Sequence, residues 1–363
     1  MKLLHFADLH LDAPFAWMRA ETARLRRRNR RETLTRLLRL AADERVDAIL
    51  SAGDLFEQDR VSPDTVEFLR ASFAAVDVPI FLAPGNHDWL SPSSPYLQVA
   101  WSPNVHLFRQ DHLEPVSLTN GLTLWGAAHR APANTGDFFA DFRPDRGGIH
   151  LAVAHASERS VLGWQESGKQ PHAPFEAAEL EDSGLHHAFL GHYHLPRDAE
   201  RYTYPGNPDP LEFGESGERG AIVATIAPDG SLERERRVVA VSEVHDLAIT
   251  LDGAAHADQV REIVGRAIAG LGGCVRVTLN GEVAPGLALD TRDLARLGEG
   301  LEELVVRVGS LTTSYDLAAI ELETTVRGQF ARSAAEIADP DLRRRVMLTG
   351  LRALEGRRDL EVA

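Results

Sequence analysis

The chain has 363 residues, more than one ordinary hydrophobic core accommodates, so two domains are the starting expectation. Its apolar fraction of 44% is typical of a folded protein, and its apolar runs are shorter than the roughly 20 residues of a membrane-spanning helix. The net charge of −15 argues against a surface that is basic overall. Cys274 is the single cysteine, which excludes a disulfide framework and a thiolate zinc cluster. His5 and Asp8 interrupt the apolar run that a signal peptide would need, so we expect a cytoplasmic protein with no membrane partner.

Strand and helix patterns alternate along the first 100 residues. Apolar runs that end in turn residues predict strands, and apolar residues spaced three or four apart predict helices. The second helix has a clear start, because Ser62 can cap it and Pro63 fits its first turn. The alternation predicts a layered α/β domain with parallel strands over 2–7, 46–52 and 78–84 and helices over 30–43 and 62–76.

From residue 100 to about 240 the predicted elements are shorter and are mostly strands. They indicate a second sheet that packs on the first. The predicted strands cover 105–108, 115–118, 122–126, 149–155, 187–194 and 221–226, and the stretch 202–208 is rich in turn residues.

Beyond residue 240 the sequence predicts a separate small α/β unit. Strand, helix, strand, helix and strand patterns follow one another over 243–330, without a cluster of ligand-type residues. In the tail, Asp339 and Pro340 form a helix start, and apolar residues follow at near-helical spacing among arginines. That helix either packs on its own domain or docks a partner, and the sequence leaves both readings open.

Basic residues cluster at 23–31, 342–346 and 356–358. The simplest interpretation of each cluster is a solvated helix face. The first cluster closely follows a candidate metal motif, ADLH, so contact with a phosphate group is the alternative for that cluster.

Side chains that can bind metal follow the ends of the predicted strands. In layered α/β folds, ligands bind at the carboxyl ends of the strands, so these side chains are expected to meet. They are Asp8 and His10 after the first strand, Asp54 after the second, Asn86, His87 and Asp88 after the third, and His155, His192 and His194 after two later strands.

This set of residues fits two divalent metal ions. Asp54 is single and central, and its two carboxylate oxygens can bridge both ions. Asp8 and His10 are two residues apart on an extended segment, so they point the same way and can share an ion. Each motif alone occurs by chance, whereas the complete order predicts a metal centre. The histidines without such a context are expected to be structural or surface residues, namely His5, His106, His112, His129, His186 and His256.

The order D-x-H, G-D, G-N-H-D, H and G-H-x-H over residues 8–194 resembles the calcineurin-like metallophosphoesterase superfamily. The segments FADLHLDAPF, AGDLFE, APGNHDW and YPGNPDPLEFGESGERG are similar to its DNA repair exonuclease branch of SbcD- and YhaO-like nucleases. Glu57 departs from that pattern, because the double-strand-break nucleases often carry a histidine there. The resemblance implies a four-layer α/β/β/α nuclease domain over 1–240, a small α/β capping domain over 243–330 and a helical tail over 331–363.

The resemblance also implies roles for the site residues. His87 would act on the scissile phosphate, and Asp88 would orient His87. The ions would be Mn²⁺, with Mg²⁺, Fe²⁺ and Zn²⁺ as alternatives. The first ion would be held by Asp8, His10, Asp54 and His194, and the second by Asp54, Asn86, His155 and His192.

The function that the resemblance implies is two-metal hydrolysis of DNA phosphodiester bonds by an exonuclease and endonuclease in DNA repair. The implied partners are DNA, a coiled-coil ABC ATPase of the SbcC kind and a second copy of the chain. One alternative is a phosphodiesterase that acts on nucleotides or small phosphoesters, which shares every motif. The other is a largely non-catalytic scaffold subunit that binds DNA or the ATPase, which would have no need of seven metal ligands.

Overall fold

The computed structural model describes residues 1–119, 121–161 and 171–355. The chain divides into two compact units, residues 1–245 and 246–363. The capping and tail roles that the resemblance implies for the C-terminal part stay predictions. No helix in the described ranges is long and apolar enough to cross a membrane.

The first unit alternates strands and helices in its N-terminal half and is mostly strands afterwards. The strands and helices are β1 (Lys2–Phe6), α1 (Ala20–Asp43), β2 (Ala48–Ser51), α2 (Pro63–Ala74), β3 (Ile80–Leu82), α3 (Pro95–Gln98), β4 (Val105–Leu107), β5 (Glu114–Thr119), β6 (Leu122–Gly126), β7 (Ile149–His155), α4 (Ala177–Ser183), β8 (His187–Gly191), β9 (Arg197–Asp198), β10 (Tyr202–Tyr204), β11 (Gly220–Ile226) and β12 (Leu232–Val238). A 3₁₀ turn covers Arg159–Val161.

These strands form two six-stranded sheets. The order is β12-β11-β1-β2-β3-β4 in the first sheet and β5-β6-β7-β8-β10-β9 in the second. Strands β1 to β4 pair in parallel, and β11 pairs antiparallel with both β1 and β12. In the second sheet β6, β7, β8 and β10 are parallel, with antiparallel β5 and β9 at the edges.

Successive side chains of β1 point to opposite faces of the first sheet and pack in two different cores. Leu3 packs in the core between the two sheets, whereas Leu4 and Phe6 pack on the opposite face with residues of α1 and α2. The outer face of the second sheet has a third core, in which Leu180 of α4 lies. The predicted α/β/β/α sandwich is therefore confirmed, because helices cover the outer face of each sheet.

Helix α1 differs from the prediction in its start and in the role of its arginines. It begins at Ala20, ten residues before the predicted start. Arg26 and Arg30 are fully buried and donate to backbone carbonyls, at 2.5 Å to Pro210 and at 2.9 Å to Asp209 respectively. For these two side chains the reading of a solvated face is wrong, because the Arg-rich turn of the helix is covered by a loop.

Other differences concern short or charged segments. The turn-rich stretch begins with β10, and β8 ends at Gly191, earlier than predicted. Strand β12 was not predicted, because its sequence LERERRV is mostly charged. The start of α2 is confirmed, since the Ser62 side chain accepts from the Thr65 amide at 3.2 Å.

The second unit has a three-stranded sheet of order β13-β14-β15. Strands β14 and β15 pair in parallel. In the tail, Asp339 caps the last helix through the amides of Asp341 and Leu342 at 2.9 and 3.0 Å, as predicted. Met347 and Leu351 of that helix lie in a small core of the same unit. The elements are β13 (Val244–Thr250), α5 (Ala257–Ile268), β14 (Cys274–Val283), α6 (Thr291–Ala295), β15 (Glu303–Thr313), α7 (Leu317–Glu321), α8 (Val326–Ala335) and α9 (Pro340–Leu354).

Candidate metal centre

The loops after β1, β2, β3, β7 and β8 bring the predicted ligands together at one edge of the sandwich. Nitrogen and oxygen atoms of these side chains form three groups, and within each group they lie within 4.8 Å of one another. The groups are Asp8 with His10 and His194, His10 with Asp54 and His87, and Asp8 with Asp54 and His155. Residues from both sheets therefore meet at one place.

The loops after β1 and β2 run side by side, which fixes the first two motifs. The amide of Asp8 donates to the Gly53 carbonyl at 3.0 Å, and the amide of His10 donates to the Asp54 carbonyl at 2.8 Å. Both loops thus continue the parallel pairing of their strands for a few residues. The pairing places the side chains of the D-x-H motif beside Asp54.

Four of the predicted ligands have a backbone in the left-handed region. The φ angles are 56° at Asp8, 47° at His10, 53° at Asp54 and 112° at His192. Non-glycine residues seldom adopt this region, and such strain clusters at functional sites. The surrounding hydrogen bonds over-determine these conformations.

Asp54 lies at the centre of the cluster. Its Oδ1 accepts from the His87 amide at 2.8 Å, and its Oδ2 is 3.2 Å from His155 Nε2 and 3.6 Å from His10 Nε2. Burial acts to raise the pKa of Asp54, but the charges of His155 and His87 outweigh it and hold the pKa well below its usual range. The Asp54 carboxylate is therefore ionised and faces two imidazoles.

His155, Asn86 and His192 complete the other side of the cluster. His155 Nδ1 faces the Ala52 carbonyl at 2.9 Å, and its Nε2 is 2.9 Å from Asn86 Oδ1. The His192 ring lies 5.2 Å from the His155 ring, centroid to centroid, and the His192 amide donates to both Asp8 carboxylate oxygens at 3.1 Å. All seven predicted ligands are thus brought together.

The geometry fits divalent cations. His10 Nε2 is buried and lacks a hydrogen-bond partner among residues 1–119, 121–161 and 171–355, although Nδ1 of the same ring is engaged. With its proton on Nδ1, the His155 ring turns an Nε2 lone pair toward the Asn86 and Asp54 oxygens. Lone pairs that converge in this way are stabilised by a cation, and carboxylate, amide and imidazole donors suit Mn²⁺, Mg²⁺, Fe²⁺ or Zn²⁺.

Comparison with known proteins identifies the family. The profile of the family described as calcineurin-like phosphoesterase matches residues 1–196, which is more than half of the chain. The chain belongs to the calcineurin-like phosphoesterase family. This metallophosphoesterase family uses a dimetal site, in agreement with the clustered ligands.

Three curated relatives match the phosphoesterase at low identity. An uncharacterised metallophosphoesterase, YhaO, of Bacillus subtilis is 27% identical over 62% of this chain and 57% of its own. The SbcD component of the nuclease SbcCD from the same organism is 26% identical over 63% of this chain and 67% of its own. The DNA double-strand break repair protein Mre11 of Aeropyrum pernix is 26% identical over 61% and 56%. The matches thus span a little over half to two thirds of the relatives' lengths.

Two glutamates of the phosphoesterase lie directly behind the candidate ligands, and neither was predicted as a site residue. Glu57 Oε1 is 2.7 Å from His10 Nδ1, and its Oε2 is 2.8 Å from His87 Nδ1. Glu215 Oε1 is 2.6 Å from His194 Nδ1. The sequence signal for both was only that they belong to segments that resemble the nuclease branch.

The predicted role of Asp88 in orienting His87 has no side-chain hydrogen bond between the two residues to support it in the described ranges. Its carboxylate accepts from the amides of Gly85, Asp54 and Leu55 at 2.6, 3.1 and 2.8 Å, and from the Tyr96 hydroxyl at 2.6 Å. Burial, and then the charge of Asp54, raises the pKa of Asp88 to about 6. Asp88 therefore holds the loops of the second and third motifs together, and the ring of His87 is held by Glu57.

His87 is the accessible imidazole of the cluster. Its side chain is 45% exposed, whereas the His10 side chain is 3% exposed. Burial acts to lower the pKa of His87, but the charges of Asp54 and Glu57 outweigh it and raise the pKa to about 9. An exposed, protonated imidazole beside a metal centre can contact a phosphate group.

One of the histidines expected to be structural, His129, supports the cluster from behind. His129 Nε2 lies 2.6 Å from the His155 carbonyl, and its Nδ1 is 2.8 Å from Thr135 Oγ1. His5 is buried between the two sheets, and His112 is exposed. These positions agree with the structural or surface roles expected for them.

Proposed function

We propose that this phosphoesterase is a metal-dependent DNA nuclease that hydrolyses phosphodiester bonds with two bound ions. The observation that carries the proposal is the convergence of seven ligand-type side chains around the Asp54 carboxylate. Pure scaffold proteins have no use for this arrangement, so we infer a catalytic protein.

The proposed ligand sets are those that the family resemblance implies, and the side chains they name lie close together. Asp54 would bridge the two ions. Mn²⁺ fits the mixed oxygen and imidazole donors, and we propose it as the native metal. When bound, the ions would neutralise charge on the phosphate and lower the pKa of a water molecule. The first ion is assigned to Asp8, His10, Asp54 and His194, and the second to Asp54, Asn86, His155 and His192.

His87 is proposed to deliver a proton. Its Nδ1 is held at Glu57, so its protonated Nε2 is the atom left to face the substrate. The carboxylates of Asp54 and Glu57 raise the pKa of His87, which favours the protonated ring. Nε2 would donate it to the leaving oxygen or form a charged hydrogen bond with a phosphoryl oxygen.

DNA is proposed as the substrate because one relative is named as part of a nuclease, SbcCD, and another is named as a DNA double-strand break repair protein. We extend their chemistry to this chain, together with an ATPase partner of the SbcC kind and a homodimeric state. With a net charge of −15 for the chain, bound ions would supply positive potential for a polyanion at this site.

The test is cleavage of end-labelled single-stranded and duplex DNA by purified protein with and without Mn²⁺. We expect metal-dependent products from the wild-type protein and none from Asp54→Asn. His87→Ala should keep both ions and lose about 10²–10⁴ in rate. Bis(p-nitrophenyl) phosphate and cyclic nucleotides serve as small substrates.

The results distinguish a DNA nuclease from an enzyme that acts on small phosphodiesters, and they test the two-metal mechanism. Hydrolysis of the small esters alone would replace DNA by a small phosphodiester as substrate. An active Asp54→Asn protein, or a wild-type protein that binds no Mn²⁺, would end the two-metal proposal.

A further inference from the structure

Through one carboxylate, Glu57 contacts the imidazole rings of both a candidate metal ligand and the proposed proton donor. Its oxygens lie 2.7 Å from His10 Nδ1 and 2.8 Å from His87 Nδ1. The two rings meet edge to face, with centroids 4.7 Å apart. Glu57 itself is 18% exposed at its side chain, so the carboxylate is largely shielded from water.

The backbone around Glu57 fixes its carboxylate between the two rings. The Glu57 amide donates to the Leu11 carbonyl at 3.0 Å, next to His10 in sequence. The Gln58 amide donates to the His87 carbonyl at 2.9 Å. The segment after β2 is thus tied to the loops that carry both histidines, so the position of Glu57 does not depend on its side-chain rotamer alone.

We propose that Glu57 is a positioning residue that sets the orientation of both His10 and His87 and keeps an Nδ1 proton of each ring facing its carboxylate. This inference rests on the proposed function. Each carboxylate oxygen accepts the Nδ1 proton of one ring, which leaves Nε2 of His10 to face the first ion and Nε2 of His87 to face the substrate. A carboxylate behind a metal-binding histidine fixes the ring and makes it a stronger ligand.

Glu57 positions both a candidate metal ligand and the proposed proton donor. At His194, the other histidine assigned to the first ion, the neighbouring carboxylate contacts the metal ligand but not the proton donor. Glu215 contacts His194 and otherwise accepts from Asn207 and from the backbone amides of Leu211 and Glu212. No hydrogen bond joins Glu215 to His87 in the described ranges. A change at Glu215 therefore affects metal binding, whereas a change at Glu57 affects both metal binding and proton delivery.

The experiment compares Glu57→Gln, Glu57→Asp and Glu215→Gln with the exposed control Glu67→Gln. Glutamine has one acceptor oxygen and one amide group, so it can serve only one of the two rings. Aspartate keeps the negative charge but is one methylene shorter. It therefore tests whether the carboxylate must extend to both rings, separately from the effect of its charge. Mn²⁺ affinity is measured by calorimetry, and kcat is measured at saturating Mn²⁺.

We expect Glu57→Gln and Glu57→Asp each to weaken binding of one ion by about 10–100-fold. At saturating Mn²⁺ their kcat should remain at least about 10-fold below wild type, because His87 is no longer held. Glu215→Gln should weaken one ion similarly, and excess Mn²⁺ should recover most of its rate. Glu67→Gln should behave as wild type, since Glu67 pairs with Arg70 on the exposed side of α2.

Ring ¹⁵N NMR of histidine-labelled, metal-free protein gives a readout that does not depend on hydrolysis. We expect the His10 and His87 signals to show protons on Nδ1 in the wild type and to shift in Glu57→Gln, with the His194 signal unchanged. Unchanged His10 and His87 signals, or full recovery of kcat by Mn²⁺ in both Glu57 variants, would overturn the inference. If the signals shift but no phosphoester is cleaved by the wild type, the proposed function fails and the positioning role stands.

Discussion

Gly85 lies against the Asp54 carboxylate with no room for a side chain. A Cβ at this position would contact Asp54 Oδ1, and would lie 2.7 Å from the Asp54 amide nitrogen and 2.9 Å from His155 Cγ. The close approach explains why a glycine precedes Asn86, since the third motif must pass between two ligands of the cluster.

We predict that Gly85→Ala weakens Mn²⁺ binding by at least about 10-fold, because the added methyl displaces Asp54 or His155. Calorimetric titration measures the affinity, and thermal unfolding measures any loss of stability. Gly136→Ala is the control, because no described non-neighbouring atom lies within 4 Å of a Cβ built there. Equal Mn²⁺ affinities of the two variants would contradict this prediction, because the added methyl group would then not displace a ligand.

The nine predicted site residues lie close together because each stands at or just after the end of a strand, and the hydrophobic pattern reveals these strands. Their roles stay predictions. The hydrogen bonds of Asp88 to three amides and to Tyr96 could not be foreseen, because they depend on how the loops fold back. Glu57 and Glu215 could not be predicted as site residues. Glu215 follows His194 by 21 residues in a segment rich in turn residues, so only the folded chain reveals their contact.

At the scale of the elements, strand β1 contributes both apolar side chains to the core and a buried titratable group. His5 lies between the sheets, and its ring is 5.1 Å from that of Phe189, centroid to centroid. Burial, and then the charges of His187 and Arg236, lowers the pKa of His5 to about 3. The strand therefore holds a neutral imidazole where an apolar side chain would be usual.

The buried imidazole predicts a loss of stability in mild acid. The unfolded chain binds a proton at His5 below about pH 6.5, and the folded chain does so only near pH 3, so stability is present above pH 6.5 and falls as the pH drops toward 3. At pH 5 the cost is about 2 kcal/mol for this residue. Urea unfolding of metal-free protein from pH 7 to 5 should give a smaller loss for His5→Phe than for the wild type.

The control for that experiment is His112→Phe, since His112 is 70% exposed at its side chain. Its loss of stability between pH 7 and 5 should match the wild type. Parallel curves for His5→Phe and the wild type would show that His5 is protonated in the folded protein, in conflict with its burial.

Helices and strands were predictable where their buried residues form a recognisable hydrophobic pattern in the sequence. They were missed where the buried or half-buried residues are charged. Strands β2, β3 and β7 are apolar runs, and their positions agree with the prediction to within two residues. Strand β12 lies at the edge of its sheet, and its alternating burial leaves charged residues half exposed, so its pattern resembles a surface loop. The early turns of α1 carry arginines whose burial depends on a distant loop.

At the scale of the molecule, the candidate site belongs to one unit. All seven proposed ligands, Glu57, Glu215 and three hydrophobic cores lie within residues 1–245. The C-terminal unit has cores of its own. We therefore expect the first unit to fold and to bind metal by itself.

We predict that a fragment of residues 1–245 unfolds cooperatively and binds Mn²⁺ with the same stoichiometry as the full chain. Calorimetry and circular dichroism measure both properties. The matched fragment 1–219 lacks β11 and should fail to fold, because β1 then loses one of its two neighbours. A folded 1–219 fragment, or a 1–245 fragment that binds no metal, would contradict this account.

The pairing of β1 with β11 also governs how the protein is made. Lys2 lies opposite Thr225, so β1 leaves the ribosome well before β11 and waits for it before its second edge is covered. Until then an apolar strand with open hydrogen-bonding groups is exposed to other nascent chains. A chaperone that shields this edge would raise the yield of active protein, whereas strong overexpression would favour inclusion bodies.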